Sequence, residues 1–483
     1  MTCFLAIDQS TSAAKTLLFD EAGHLLDKES REHEQHYPQP GWVEHDAEEI
    51  WQNVLLTLRT LLARRANEDI AGLSITNQRE TVVIFDRATG KPLCPAIVWQ
   101  CRRSVALCDE HASHDALIQA RTGLRLDAYF SASKVQWLVR HHPELKAKLA
   151  SGEALIGTID CYLIYRLTSG AVFATDHTNA SRTLLFDIGR MRWDEELCAL
   201  FEVPIQALPE VCESAARFGE ATLDGKTLPI CGVMGDSQAA LFAQRCFAPG
   251  AAKVTFGTGS SILLNIGSEM QPPPQGVVTT LAWVLKGTPT YAFEGIIISS
   301  AATLAWLRDQ LGVLRDFAEI EPLARELPDN EGVYLVPAFS GMGLPHWQPE
   351  ARATIVGLSA QSDRRHFIRA GLESIAYQLR DALGAMRVPL RGLHGDGGAT
   401  ANRLLMQFTA DLIGVPLRVA TMPDCSPLGA VFAGMLGMGF CSSPAELAAL
   451  PQTDVVYQPT MPAEQAQRFY EGWQRAVRQT LCA

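Results

Sequence analysis

Two short patterns, far apart in the chain, carry the residue types that grip a phosphate. The first is Asp8-Gln9-Ser10-Thr11-Ser12-Ala13-Ala14-Lys15, entered from Leu5-Ala6-Ile7 and left through Thr16-Leu17-Leu18-Phe19. The second is Phe256-Gly257-Thr258-Gly259-Ser260-Ser261, set between Lys253-Val254-Thr255 and Ile262-Leu263-Leu264. Each reads as a β-prone run, a turn of small hydroxyl-bearing residues and a second β-prone run, which is a hairpin. A tip without bulk lets phosphate oxygens come up against backbone N–H groups. Two such hairpins from related halves would hold one nucleotide in the cleft between them. Phosphoryl transfer is therefore the leading chemistry.

The surrounding elements must place those tips. Asp46 opens a helical stretch over Ala47 to Ala66, with Ile50, Trp51, Val54, Leu55, Leu58, Leu61 and Leu62 at i, i+3, i+4 spacing. Strands are expected over Ala71 to Thr76, Thr81 to Asp86 and Lys91 to Trp99, the last two joined by Ala88-Thr89-Gly90. Ser133 to Leu149 reads as one helix. A polar tract from Ala215 to Thr227 precedes a strand over Leu228 to Met234, which runs into Gly235-Asp236. A second alternation of β and α begins near Ala251. In it, Gly392 to His394 reads as a strand entering Gly395-Asp396-Gly397-Gly398, with a helix beginning near Asn402. No Gly/Ser linker separates the halves, so they should pack directly on each other. The expected boundary lies at Pro249-Gly250, giving domains 1–247 and 248–483, with the ligand cleft between them.

Composition excludes several classes. The 483 residues are 47% hydrophobic, with a formal charge of −12 and a mean hydropathy of +0.04. Neither a basic excess nor a basic run is present, which argues against nucleic acid as a partner. No run approaches the ~20 apolar residues that span a membrane. The N-terminus reads as a strand rather than a secretory signal, so a cytoplasmic location is expected. The twelve cysteines show no CxxC pair or metal-ligand spacing, as expected of reduced packing thiols.

Longer stretches carry a specific resemblance. They include Tyr37-Pro38-Gln39-Pro40-Gly41-Trp42-Val43-Glu44-His45-Asp46, Ile75-Thr76-Asn77-Gln78-Arg79-Glu80-Thr81 and Ala96-Ile97-Val98-Trp99-Gln100-Cys101-Arg102-Arg103. Further along come Thr175-Asp176-His177-Thr178-Asn179-Ala180-Ser181-Arg182-Thr183, Gly235-Asp236-Ser237-Gln238 and Val336-Pro337-Ala338-Phe339-Ser340-Gly341. In this order the chain resembles the FGGY family of carbohydrate kinases. The resemblance implies an α/β fold of two ribonuclease-H-like, actin-like ATPase domains, with ATP and a small polyol in the cleft. It departs from the pattern at Ser10, where a glycine is usual, at Ser237, where Gln is usual, and at Ser261, where Phe is usual.

The resemblance also assigns roles. Asp8 would hold Mg²⁺ through water, although an Asp there can also cap its own hairpin. Thr11, Ser12 and Lys15 would contact phosphate from one side, and Gly257 and Thr258 from the other. Phosphoryl transfer to an alcohol needs a carboxylate that accepts the hydroxyl proton. That role falls to Asp236, which is also placed to cap a helix. Arg79 supplies donors and Glu80 acceptors, so the pair can read adjacent hydroxyls; as a surface ion pair it would be worth little. Trp99 would wall the C–H face of the polyol, and Tyr129 would give a further contact, unless both are simply packing. Ser237 and Ser261 border the same pocket. Gly397, Gly398 and Asn402 resemble an adenosine-binding turn in which Asn402 bonds the base or caps the helix. His45, His177 and His394 read as structural.

The resulting expectation is Mg²⁺–ATP-dependent phosphorylation of a primary hydroxyl on a small polyol, glycerol before any other. A four- or five-carbon polyol or ketose kinase is the alternative within the class. A non-catalytic actin-like nucleotide-binding regulator is the alternative outside it. A homodimer or homotetramer is the expected assembly.

Overall fold

The computed structural model describes residues 2–422 and 424–482. Two sheets dominate. The first contains β1 (Thr2–Gln9), β2 (Ala13–Asp20), β3 (Leu25–Glu32), β4 (Asp69–Asn77), β5 (Arg217–Leu223) and β6 (Lys226–Gly235), in the spatial order β5-β6-β4-β1-β2-β3. The second contains β7 (Ala251–Phe256), β8 (Ser260–Gly267), β9 (Val278–Leu285), β10 (Thr288–Ile297), β11 (Gly392–Asp396), β12 (Leu417–Val419) and β13 (Val455–Tyr457), in the order β9-β10-β8-β7-β11-β12-β13. Each sheet is built on the same scheme. A hairpin (β1–β2, β7–β8) continues antiparallel on one side, to β3 or β10. On the other side lie two parallel strands, β4 then β6 or β11 then β12. Parallel strands need crossover connections, and helices supply most of them. The two suspected hairpins thus occupy equivalent places in two like sheets.

The helix α1 (Ala47–Arg64) starts where Asp46 accepts from the N–H groups of Glu48 and Glu49, and it buries Ile50, Trp51, Val54, Leu58, Leu61 and Leu62. The single helix expected over Ser133 to Leu149 is two, α2 (Ser131–His141) and α3 (Pro143–Ser151). Pro143 cannot continue a helix from within, but it suits the first position of a new one. The strand expected over Lys91 to Trp99 shrinks to Ala96–Ile97, because Pro92 and Pro95 bring no N–H to a ladder. The polar tract at 215–227 is mostly β5, an edge strand with alternating burial that turns through Asp224-Gly225 into β6.

The helices α4 (Asp236–Ala243), α5 (Ala301–Asp309), α6 (Arg403–Ile413) and α7 (Cys425–Gly437) follow the strand ends that carry the suspected site. The last of these packs on α4 and reaches across β6, β4 and β1, so a helix from the second half is built into the core of the first. No helix among the described residues is long and apolar enough to cross a membrane.

Candidate active site

The first hairpin closes as a tight turn, with the Ser10 N–H donating to the Ala13 carbonyl. Its ladder sets Asp8 opposite Lys15, and the Lys15 ammonium donates to Asp8 at 2.9 Å. Asp8 is buried. Burial pushes its carboxyl above the ordinary range, Lys15 pulls it back, and the nearby Asp236 and Asp424 charges add to the rise. Thr11 and Ser12 form the tip. The indole Nε1 of Trp99 donates to the Thr11 hydroxyl at 3.0 Å, which leaves the hydroxyl proton available to another acceptor. The residue expected to touch phosphate and the one expected to wall the polyol are therefore mechanically joined.

Asp236 is the first residue of α4, with Gly235 as the cap residue. Its side chain does not cap by the usual bond; its carboxylate accepts from the Ser237 N–H at 2.6 Å and takes the Arg79 Nε at 3.2 Å while remaining 42% exposed. The Arg79 stem passes directly beneath Gly235, where an added Cβ would lie 2.8 Å from its Cγ and Cδ. A glycine is thus required for the arginine to reach the aspartate.

Arg79 and Glu80 are not a surface pair. Both are buried, together with Arg182 and Glu294. Arg79 bonds Glu294 at 2.8 Å. Arg182 donates from Nε to Glu80 at 2.6 Å and forms an ion pair with Glu294 at 2.5 Å. Gln238 accepts a further bond from Arg79 at 3.2 Å. Two cations and two carboxylates make a neutral quartet, and Glu294, on β10, brings the second half of the chain into it. Burial opposes every charge. Against it, Arg182 and Arg79 hold the Glu294 carboxyl at about 2, and Glu294, Glu80 and Asp236 hold Arg79 well above its ordinary value. For Glu80 burial prevails, and its carboxyl is raised despite Arg79 and Arg182. Glu80 also has a positive φ of 63°, a conformation rare outside glycine. The Ser131 hydroxyl holds its carbonyl at 3.0 Å. Trp99 and Tyr129 pack ring to ring, 5.3 Å between centroids. Ser237 adjoins Asp236 at the start of α4. Ser261 sits on β8 opposite Ile296, and its hydroxyl is buried without a hydrogen-bond partner.

The second hairpin borders a separate cavity of about 630 Å³, lined by Phe256, Gly257, Thr258, Gly398, Ala399 and Asn402 together with Leu304, Phe317, Ile320 and Glu321. The carbonyls of Gly257 and Thr258 accept the N–H groups of Ser300, Ala301 and Ala302, which fixes the tip at the start of α5. Gly397 does not line the cavity. Its φ of +97° and a Cβ position 2.5 Å from the Phe256 carbonyl make glycine obligatory there, so it sets the turn that brings Gly398 to the wall. Asn402 caps α6, accepting from the Leu405 N–H at 2.9 Å. Of its two expected uses, the capping bond is the one formed by its Oδ1.

Among the described residues, no cluster of three or more His, Cys, Asp or Glu side chains forms a metal cage. Mg²⁺ needs none: it keeps most of its water and takes one or two carboxylates plus phosphate oxygens. Asp8, with Asp236 near enough to raise its pKa, fits such an ion. Two of the histidines expected to be structural are built into the fold: His45 is buried, with its pKa pushed down to about 3, and His177 bonds the Cys212 carbonyl at 2.7 Å.

Sequence reasoning missed Arg182, Glu294 and Gln238. Glu294 had a signal, as a lone carboxylate in the apolar run Tyr291-Ala292-Phe293-Glu294-Gly295-Ile296-Ile297. Arg182 and Gln238 lay inside the stretches that carried the resemblance but showed no spacing that tied them to Arg79.

Comparison with known proteins agrees with this architecture. Residues 3–243 match the N-terminal domain of the FGGY family of carbohydrate kinases, and residues 252–438 match its C-terminal domain. A glycerol kinase of Desulfitobacterium hafniense is 45% identical over 99% of both chains. Glycerol kinase 2 of Thermotoga maritima is 42% identical, over 100% of this chain and 99% of its own. A crystal structure of Plasmodium falciparum glycerol kinase with ADP superposes with a TM-score of 0.95 at 36% identity, covering 100% of this chain and 98% of that one.

Proposed function

The chain belongs to the FGGY family of carbohydrate kinases, and from that premise we propose that it transfers the γ-phosphoryl group of ATP to a primary hydroxyl of glycerol, yielding ADP and glycerol 3-phosphate. The observation that carries this reading is the half-exposed Asp236 carboxylate, held at 3.2 Å by an arginine that is itself locked into the buried quartet. In the proposed reaction Asp236 accepts the proton of the attacking hydroxyl as its oxygen bonds to the γ-phosphorus and the bond to ADP breaks. Arg79 keeps the carboxylate aimed. Glu80 and Arg79 orient the neighbouring hydroxyls, and Trp99 and Tyr129 cover the carbon chain. The adenosine occupies the 630 Å³ cavity, with Gly398 and Asn402 in its wall and Gly397 behind them. Gly257, Thr258, Thr11, Ser12 and Lys15 take the phosphates. Asp8 would hold Mg²⁺, which would offset phosphate charge. ADP release measured with glycerol, with longer polyols and ketoses, and with no acceptor tests the reading. ATP binding without acceptor-dependent release would favour the non-catalytic regulator instead.

Thr258 tests the nucleotide half. Its side chain is exposed at the hairpin tip. Losing one bond to a charged group costs about 1.5–3 kcal/mol. Thr258→Val should therefore weaken ATP by roughly 10- to 100-fold in Kd and leave glycerol nearly unchanged. Equal calorimetric losses for both ligands would place this hairpin outside the phosphate site.

Ser261 favours a second acceptor. Its side chain is smaller than the usual Phe and its unpartnered hydroxyl has a bond to give to the further hydroxyl of a four-carbon acceptor, with the 43%-exposed Ile296 beside it. Ser261→Phe should lower kcat/KM for erythritol and threitol by roughly tenfold or more while sparing glycerol. If the wild type rejects both tetritols as strongly as the variant, Ile296 already closes the pocket.

A further inference from the structure

Lys134, in the first turns of α2, has no part in the reading above, yet its placement is costly. It is completely buried. Its ammonium donates to three successive carbonyls, Ala128 at 2.5 Å, Tyr129 at 2.6 Å and Phe130 at 3.0 Å. An ammonium has three donors and no acceptor, so one turn of chain uses all of them. Burial pulls its pKa down to about 7, with Glu80 acting the other way. A buried charge without a direct carboxylate partner is expensive.

What the three carbonyls share is the turn that enters the acceptor pocket. Its start is pinned where Asp127 accepts the Tyr129 N–H at 2.7 Å. The Tyr129 ring lies on Trp99, which reaches Thr11 of the first hairpin. The Phe130 ring lies 5.1 Å from the Arg182 guanidinium, which in turn forms ion pairs with Glu80 and Glu294. The next residue, Ser131, holds the carbonyl of Glu80 in its unusual conformation.

We propose that Lys134 is a positioning residue for acceptor recognition, a clamp on the 128–130 turn that sets Tyr129 against Trp99 and Phe130 under Arg182. This rests on the reading of Glu80, Trp99 and Tyr129 as acceptor contacts.

The test is Lys134→Met, which keeps the length and removes the donors, studied beside Tyr129→Ala and the double variant. A small misplacement of a positioned group can cost up to ~10²-fold. The acceptor KM of Lys134→Met should rise tenfold or more, with the ATP KM within twofold of wild type. If the lysine acts through the turn, the double variant should be little worse than Tyr129→Ala alone. An unchanged acceptor KM, equal rises for both substrates, or additive effects would each overturn the proposal. Lys134→Gln, which retains two donors, should fall between wild type and Lys134→Met. If neither variant folds, the lysine serves the fold and the proposal fails. A wild type that ignores glycerol but turns over another polyol overturns only the glycerol reading, and the same comparison is then made with that polyol. A wild type inert with every polyol overturns both.

Discussion

Asp236→Asn is expected to lower kcat by ~10²–10⁴-fold, the usual cost of losing a general base, while leaving the Kd for ATP within about twofold. The geometry makes this a clean substitution. Asn has the same shape, and its amide oxygen can keep the place of the carboxylate oxygen now 3.2 Å from the Arg79 Nε. Arg79 keeps Glu294 and Gln238 as partners, so it is not left uncompensated. At 42% exposure the side chain carries little of the fold. What disappears is the negative charge, and with it the capacity to take a proton. The measurement is steady-state kinetics with saturating glycerol, paired with calorimetry for ATP. A variant with more than about a tenth of wild-type turnover would remove Asp236 from the proton-accepting role.

Local features of the chain and its nonlocal ones differ in how readily a sequence shows them. Each hairpin tip is written in consecutive residues, so its type and its small side chains can be read directly. The same holds for α1, whose cap and apolar stripe lie within eighteen residues. The break between α2 and α3 was also written, at Pro143, but the apolar periodicity runs through it and hides it. The polar tract at 215–227 concealed a strand because an edge strand may expose its charged residues. The catalytic candidates were legible as types in motifs, but their surroundings were not. The quartet joins residues 79, 80, 182 and 294, and pairing at such separations leaves no periodic trace. Its consequence, that Arg79 and Glu80 are buried, reverses what an adjacent Arg-Glu in a loop would suggest by itself. Lys134 is the extreme case: in a helical pattern it reads as a surface residue, and only the carbonyls gathered around it show otherwise.

The quartet also predicts the largest effect on stability. Arg182→Met removes one of two cations that neutralise Glu80 and Glu294. Glu294 would keep Arg79 at 2.8 Å, but Glu80 would be left with Arg79 at 3.9 Å. Removing one partner of a buried ion pair costs about 3–5 kcal/mol, because the other charge remains buried without compensation. The Glu80 carboxyl, already raised by burial, would rise further. The expected result is a large fall in the urea midpoint together with a raised KM for the acceptor. Adding Glu80→Gln to Arg182→Met removes the stranded charge, and should recover part of the midpoint while leaving the acceptor KM high. Arg140 provides the contrast. Its bonds to Glu110 and Glu202 lie at the surface, where such pairs contribute about 0–1 kcal/mol, so Arg140→Met should barely move the midpoint. If Arg182→Met unfolds at the same urea concentration as Arg140→Met, the four charges do not act as one desolvated unit, and the aim of Arg79 on Asp236 must have another source.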